Sequence, residues 1–520
     1  MTELGLVATV EEEAEGRPKP TASGGMRGVG KQALIYGLGI VAGKGIAFLM
    51  LPVYTRVLTP ADYGLLELVE MTLEVISIVA CAQLALGIFR FYHKAESRTE
   101  KNAVVSTALL GLGLTYALVG LAGFLAAVPL SSLVFRTAEH ADLLRIASLS
   151  LAFESLLIVP FAYARANDRS VFFVTVNLTR TLIVLVLNLI MLLGLGLGIK
   201  AMLLSSLITN VVLGSWLAGS LIREVGFGIS GRAIRDLFRY GAPLMATQIA
   251  TFIVTFGDRF FLQAAGNPTV VGLYTLAYQF GFLVALFGAM PFMRVWDPKR
   301  FSVVNHPDRD DIYARGFIYL NVSLITVALA TAVLIDDFLR IMVTPSFYSA
   351  GDLVPVILLA YVLQSWSGIQ DTGILIRERT QFIMLGNWLA ALTALAGYAL
   401  LIPRFLGWGA AVATVLAFTV RHITLYAISQ RLCPIRYRWA PVLRLVGLAL
   451  LVYALSISLP HLALWASVSV RLVLLAGYLT ALWHLDILTR ADRIYVVNSV
   501  RNVVVRLWPG RGHGKAAPDA

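Results

Sequence analysis

The sequence predicts an all-α membrane protein, a polytopic bundle that crosses the bilayer about fourteen times. Of its 520 residues, 58% are hydrophobic and 14% are charged, and the mean hydropathy is +0.78. A soluble domain usually carries about 25% charged residues, so this chain has too little polar surface to stay in water. The apolar residues also occur in blocks of about 20, the length with which a helix spans the hydrocarbon core.

Fourteen apolar segments mark the predicted transmembrane helices. They cover 32–54, 65–89, 103–128, 142–163, 170–193, 201–222, 242–265, 270–293, 314–335, 351–374, 381–402, 408–430, 441–459 and 465–486. The polar segment 1–30 contains an acidic run and lacks the basic-then-apolar order of a cleaved signal peptide. We therefore expect a disordered cytoplasmic tail at 1–30, and we expect a second, short cytoplasmic tail at 489–520.

The distribution of Lys and Arg predicts the orientation of the helices. When the connecting segments are numbered alternately, 31 of the 42 Lys and Arg residues fall on one side and 6 on the other. Cytoplasmic loops of membrane proteins carry such an excess of positive charge. Both termini are therefore expected in the cytoplasm, and the protein in the cytoplasmic membrane. The same excess explains the net charge of +12 without a nucleic-acid partner.

Motifs for enzymatic chemistry or metal binding are not evident. Cys81 and Cys433 fit neither a metal-ligand spacing nor a disulfide framework. No P-loop, HExxH or GxSxG pattern stands in a suitable context, and the predicted external loops are too short to house an active site. We expect a protein that is not an enzyme and has no cofactor, apart from coupling to H⁺ or Na⁺.

An internal repeat predicts how the helices are grouped. The segments Leu51–Leu68 and Gly257–Phe280 both place a helix end, a short turn and a Gly-Leu pair in the same order. Gly64 and Gly272 are 208 residues apart, and six of the predicted helices lie between them. Duplications of this kind build many transporters. The sequence therefore predicts a 6+6+2 division, with lobes at 31–225 and 226–432 and two further helices in 433–488.

The two repeated hairpins carry a family resemblance. The residues concerned are Pro52, Arg56, Leu58, Asp62, Tyr63 and Gly64 in the first, and Asp258, Arg259, Val271, Gly272, Leu273 and Tyr274 in the second. They resemble signatures of the polysaccharide-biosynthesis flippases, which export oligosaccharide-lipids for O-antigen and capsule and belong to the multidrug/oligosaccharidyl-lipid/polysaccharide superfamily. The resemblance implies a MATE-like two-lobe bundle that flips a polyprenyl-diphosphate-linked oligosaccharide by alternating access. It also implies that helices 13 and 14 line a groove for the polyprenyl tail.

Charged residues inside the predicted helices are candidates for the transport pathway, because a charge at mid-bilayer usually faces water or the bundle interior. The candidate substrate-binding cations are Lys44, Arg180, Arg259 and Arg421, and the carboxylates that could couple ions or form ion pairs are Glu70, Glu74, Glu154, Asp258 and Asp371. Glu67, Glu70 and Glu74 share one helical stripe. Arg56, Asp62, Gly64 and Gly272 are the candidate gating residues of the hairpins. Alternatively, these charges are internal salt bridges that fix helix packing.

Several functions share these features. A lipid II flippase has the same fold with a different first hairpin, and a cation-coupled multidrug exporter generally has twelve helices and a carboxylate-rich cavity. A non-transporting scaffold of a polysaccharide-synthesis complex is a further alternative. The expected partners are membrane lipids, the lipid-linked oligosaccharide, and a polysaccharide polymerase or glycosyltransferases.

Overall fold

The computed structural model describes residues 39, 42–43, 45–46, 48–80, 84–460, 463–485 and 487. Every regular element in these ranges is a helix, so the predicted all-α class is confirmed. Lys44, Cys81, most of the first predicted helix and both predicted tails lie outside the described residues.

The described helices are numbered here in chain order. They are α1 Phe48–Val57, α2 Pro60–Val79, α3 Leu84–Lys94, α4 Arg98–Leu125, α5 Ala127–Phe135, α6 Ala141–Ala166, α7 Ser170–Leu189, α8 Ile199–Val225, α9 Gly231–Ala264, α10 Pro268–Leu283, α11 Met290–Ser302, α12 Arg309–Met342, α13 Ala350–Gln370, α14 Thr372–Ile376, α15 Gln381–Leu432, α16 Trp439–Ile457 and α17 Leu464–His484. The π-helical segment Ile190–Gly194 extends α7, and the π-helical segment Val284–Ala289 joins α10 to α11.

Many of these helices can span a bilayer. Ten helices in the described ranges are long and apolar enough, and the number is eleven if α2 and α3 form one bent span. The predicted helix 242–265 lies within α9, which carries Asp258 and Arg259 and is not among the ten. Repeated membrane crossing is therefore confirmed, whereas the exact number of fourteen stays a prediction.

Helix α15 is a hairpin of two arms. Its 52 residues would measure about 78 Å if straight, more than twice the hydrocarbon thickness. The backbone leaves the helical region at Leu406, where φ is 47° and ψ is −124°. Side chains from the two arms then meet, with 3.2 Å between the Tyr398 and Thr414 hydroxyls. The predicted helices 381–402 and 408–430 correspond to these arms.

Contacts divide the chain into two compact units. The first unit comprises Met1–Leu58 and Leu68–Ile249, and the second comprises Thr59–Glu67 and Ala250–Ala520. Helix α2 thus contributes its first residues to the second unit and the rest to the first. The predicted lobe boundaries at 225 and 432 stay predictions.

Close helix packing forms the core of the first unit, chiefly between α4, α6 and α8. A Cβ atom on Gly120 of α4 would lie 2.7 Å from the Ser148 carbonyl oxygen of α6, so a larger residue there would collide with backbone. The fully buried Tyr116 shares a 2.7 Å hydrogen bond with Ser77. Small residues allow such close contact between membrane helices.

The second unit is built around α10, α12, α13 and α15. A Cβ atom on Gly281 of α10 would lie 2.6 Å from Ile357 and 2.7 Å from Tyr361, both on α13. The short helix α14 is held against α15 because the Gly373 amide donates a 3.0 Å hydrogen bond to the Ser429 hydroxyl. These contacts give the second unit a rigid frame for its buried charges.

Candidate functional site

The two repeated hairpins open their second helices, α2 and α10, with the same local chemistry. Thr59 and Asp62 cap α2 reciprocally, since the Thr59 amide donates to the Asp62 carboxylate at 2.9 Å and the Asp62 amide to the Thr59 hydroxyl at 3.2 Å. Asn267 caps α10 by accepting a 3.1 Å hydrogen bond from the Val270 amide. A side chain that satisfies free amides in the first turn fixes where a helix begins. Asp62 therefore has a structural role at the start of α2.

The first turns of α2 and α10 cross each other within the second unit. A Cβ atom on Gly64 would overlap the carbonyl oxygen of Pro268, and a Cβ atom on Gly272 would overlap that of Pro60. Pro60 and Pro268 are 208 residues apart, as are Gly64 and Gly272. The contact is therefore reciprocal, and equivalent positions of the two hairpins meet each other. Glycine at both positions lets the backbones approach this closely.

A closed charge cluster lies beside this crossing and is centred on Arg259. The guanidinium lies 2.7 Å from Asp258 and 3.3 Å from Glu67, and its side chain is 1% exposed. Tyr274 donates a 2.7 Å hydrogen bond to Asp258. The rings of Tyr278, Tyr274 and Phe256 surround the guanidinium, with centroids 4.2, 5.3 and 5.2 Å from it. Arg259 is thus enclosed by two carboxylates and three aromatic rings.

This enclosure bears on the two interpretations of the Asp258-Arg259 pair, which are substrate binding and helix packing. The Arg259 guanidinium also donates a 2.6 Å hydrogen bond to the Thr255 carbonyl, so its charge is paired and its Nη1 atom is hydrogen-bonded within the second unit. An arginine in that condition orders the helices around it, as the salt-bridge alternative holds. A role for Arg259 in binding substrate stays a prediction, and the geometry favours the structural one.

The first unit contains a more open polar cluster around Arg180 of α7. Arg180 donates a 3.3 Å hydrogen bond to Asn210 of α8, and Asn210 donates at 3.0 Å to the Ser150 hydroxyl of α6. Glu154 of α6 interacts electrostatically with Arg180 and with Glu74. The Arg180 side chain is half-buried and retains donor groups that a phosphate could use.

Two further arginines occupy polar positions in the second unit. Arg421 donates a 2.7 Å hydrogen bond to Asn387 and lines a cavity of about 40 Å³. Arg300 lies 2.9 Å from Asp297 and 3.2 Å from Asp371, and its side chain is 11% exposed. Asp371 is therefore an ion-pairing partner of Arg300. Arg421 combines a fixed orientation with an adjoining cavity, which suits a binding group.

The remaining predicted residues are placed as follows. The structure brings Glu67 against Arg259, whereas Glu70 and Glu74 of the same stripe belong to the first unit and are exposed. Arg56 is exposed near the end of α1. Lys44 lies outside the described residues. Among the residues that the structure does describe, no group of His, Cys, Asp or Glu side chains could hold a metal ion.

Sequence reasoning missed several charged pairs. Arg300 lies between the predicted helices 270–293 and 314–335, but α11 continues through it, and its i, i+3 spacing from Asp297 is the available signal. Arg169 lies between the predicted helices 142–163 and 170–193, and its guanidinium lies 2.6 Å from Glu224. The Glu224 carboxylate raises the pKa of Arg169 because it stabilises the charged form. The aromatic partners of Arg259 could have been suspected from the i, i+4 spacing of Tyr274 and Tyr278.

Solved structures of membrane transporters share this fold. The chain is similar to lipid II flippase MurJ in an inward closed conformation, with a TM-score of 0.69 and 12% identity over 87% of this chain and 98% of that one. It is also similar to an inward-facing MATE family multidrug resistance transporter of the MOP superfamily, with a TM-score of 0.58 and 15% identity over 75% and 94%. For the Vibrio cholerae MATE transporter VcmN in the bent form, the TM-score is 0.54 and the identity 12% over 78% and 96%.

The fold defines the class of the protein, a polytopic helical membrane protein with the architecture of MurJ and the MATE proteins. Residues 29–304, more than half of the chain, match the family model described as polysaccharide biosynthesis protein. The chain belongs to this family, and the resemblance carried by the two hairpins is confirmed. No curated protein matches the sequence.

Proposed function

We propose that the protein moves a polyprenyl-diphosphate-linked oligosaccharide from the cytoplasmic to the outer leaflet of the cytoplasmic membrane by alternating access, for polysaccharide biosynthesis. One observation carries the proposal: a member of a polysaccharide biosynthesis family has the fold of membrane transporters. Such a chain serves that pathway most directly by transporting its membrane-bound intermediate. On this account both termini are cytoplasmic, and the transporter cooperates with glycosyltransferases and a polymerase.

The diphosphate of the substrate would be held by the less enclosed arginines. Arg180 makes one hydrogen bond among the described residues, to Asn210, so further guanidinium donors are free for phosphate oxygens. Arginine suits this task because its planar fork matches two phosphate oxygens and stays charged at cellular pH. Within the second unit, Arg421, fixed by Asn387 beside a small cavity, is a separate candidate for binding phosphate. Lys44 is a further candidate.

The carboxylates near Arg180 provide a means of coupling. Glu154 is attracted by Arg180 and repelled by Glu74, so the acidic neighbour of this cation has a second carboxylate near it. A proton or Na⁺ that neutralises one carboxylate would strengthen the attraction of Arg180 for a diphosphate, because fewer negative charges would compete for it. This is the proposed coupling step, with either H⁺ or Na⁺ as the driving ion.

The hairpin crossing at Gly64 and Gly272 is proposed as the contact that separates during the cycle. The contact is a backbone approach without an ion pair between the two glycines, so it can open without leaving a buried charge behind. The predicted orientation puts both hairpin turns on the outer side of the membrane. Separation of the crossing would therefore release the substrate outward.

A reconstituted transport assay tests this proposal. The purified protein is placed in vesicles with a fluorescent polyprenyl-diphosphate oligosaccharide, and the fraction reaching the opposite leaflet is measured by chemical quenching. We expect movement of this lipid and no uptake of a cationic dye. Dye transport without lipid movement would support the multidrug exporter instead, and vesicles in which neither probe moves would support the scaffold.

A lipid II flippase is the second candidate, and one observation favours it over the drug exporter. The similarity to MurJ covers 98% of that chain and 87% of this one, whereas the inward-facing MATE transporter and VcmN match only 75% and 78% of this chain. The same vesicles with fluorescent lipid II separate the two flippases. Faster movement of lipid II than of the oligosaccharide lipid would identify the protein as a lipid II flippase.

A further inference from the structure

A polar pocket of about 420 Å³ lies in the second unit, where several helix ends meet. It is formed by the end of α12, the start of α13, the turn of the α15 hairpin, the end of α16 and the start of α17. Among its lining residues are Asp336, Arg340, Asp352, Trp408, Tyr453 and Arg471. The Lys/Arg distribution predicts all these helix ends on the outer side of the membrane. A tryptophan at this level is typical of the membrane–water interface.

The charges of this pocket are only partly neutralised within the protein. Arg471 of α17 pairs with Asp336 at 3.2 Å and with the buried Asp337 at 3.1 Å. Asp352 and Arg340 form no ion pair among the described residues, and Asp352 and Asp336 repel each other electrostatically. The pocket therefore offers the Asp352 carboxylate to a cation and the Arg340 guanidinium to an anion.

An apolar groove of about 270 Å³ continues from the polar pocket. It runs along α12, α13 and α16, and its lining includes Leu329, Leu358 and Leu450. Ala332, Pro355 and Tyr453 line both the groove and the polar pocket, so the two form one continuous site. A site with an apolar stem and a charged end at the predicted interface fits a lipid molecule.

The charges of the polar pocket determine which lipid headgroup fits it. A diphosphate headgroup would satisfy Arg340 but would place further negative charge near Asp336 and Asp352, at a cost in electrostatic energy. A zwitterionic headgroup with a primary ammonium satisfies both signs. The ammonium can donate up to three hydrogen bonds to the carboxylates, while the phosphate accepts from the arginine.

We propose that this site binds one phosphatidylethanolamine molecule of the outer leaflet. Its ammonium group lies on Asp352 and Asp336, its phosphate on Arg340, and an acyl chain in the groove along α12, α13 and α16. The bound lipid would then be a fixed component of the transporter and distinct from the substrate that it moves.

Native mass spectrometry of the purified full-length protein tests the proposal. The protein is incubated in detergent with equal amounts of phosphatidylethanolamine and phosphatidylglycerol, and the retained lipids are counted. We expect the wild type to retain phosphatidylethanolamine in preference. Asp352→Asn should lower that preference about fivefold, since each lost charge pair at a partly exposed site weakens binding modestly. Arg340→Gln should lower the retention of both lipids.

Three matched variants separate the headgroup from the groove and from general effects. Ala332→Phe fills the junction of groove and pocket without changing a charge, so it should reduce the retention of both lipids. Glu139→Gln and Arg136→Gln change exposed charges on the same predicted side of the first unit and should leave retention unchanged. Equal retention of both lipids by the wild type, or an unchanged preference in Asp352→Asn, would overturn the proposal. Arg340→Gln, at an exposed position, keeps the test valid if Asp352→Asn fails to fold.

Discussion

The arginines at the centres of the two units stand in contrasting surroundings. Arg259 of the second unit is 1% exposed and is enclosed by Asp258, Glu67 and three aromatic rings. Arg180 of the first unit is half-buried and makes one hydrogen bond among the described residues, to Asn210. Arg180 lies near the middle of α7, whereas Arg259 lies in the last two turns of α9. The enclosure of the side chain therefore distinguishes the two arginines, and on it we base the proposal that Arg259 is structural and Arg180 binds substrate.

The largest expected effect concerns the enclosed arginine. Arg259→Ala should lower the free energy of unfolding by about 3–5 kcal/mol, because it leaves Asp258 and Glu67 buried without their cation. Thermal unfolding followed by circular dichroism in detergent measures this. Arg259→Lys should recover only part of the loss, since an ammonium cannot pair with both carboxylates and the rings in the same geometry. If Arg259→Ala unfolded with the same free energy as the wild type, the structural role of the enclosed arginine would be contradicted.

The next largest effect concerns close backbone contact. Gly272→Ala should destabilise the protein by about 1–3 kcal/mol, because its Cβ atom would overlap a carbonyl oxygen of the facing turn. Gly64→Ala should behave in the same way. Gly111→Ala in α4 is the control, since a Cβ atom there meets nothing within 4 Å and alanine favours a helix. Equal unfolding temperatures for Gly272→Ala and Gly111→Ala would contradict the crossing.

The smallest effect concerns an exposed ion pair of the first unit. Arg169 and Glu224 lie 2.6 Å apart, but their side chains are 47% and 35% exposed. Arg169→Gln should therefore cost less than about 1 kcal/mol, as solvent screens such pairs. A loss as large as that of Arg259→Ala would show that burial does not set the size of these effects. Thermal unfolding followed by circular dichroism compares Arg169→Gln with Arg259→Ala.

Part of this arrangement follows from the sequence. The equal spacing of the repeated hairpins identified Gly64 and Gly272 together, because a duplication repeats its turn chemistry. The break in α15 at Leu406 falls between two apolar blocks that the sequence separates. These features depend on local order along the chain, which the sequence displays directly.

The salt-bridge partners of individual side chains could not be predicted from the sequence in the same way. The salt bridge between Glu67 and Arg259 joins α2 to α9, and nothing in either helix points to the other. Arg471 was not singled out at all, although it pairs with Asp336 and Asp337. Such pairs arise from the rotation and packing of helices, which hydropathy and charge counts do not determine.

We propose that Arg180 binds the substrate, whereas Arg259 holds the protein together. Flipping of the fluorescent oligosaccharide lipid by Arg180→Ala and Arg180→Lys in vesicles tests it most directly, with unfolding temperatures recorded for the same preparations. We predict that Arg180→Ala unfolds near the wild-type temperature but moves the lipid at least about tenfold more slowly, a loss comparable to one or two charge-assisted hydrogen bonds, and that Arg180→Lys recovers part of the rate. Wild-type flipping by a folded Arg180→Ala protein would contradict the claim.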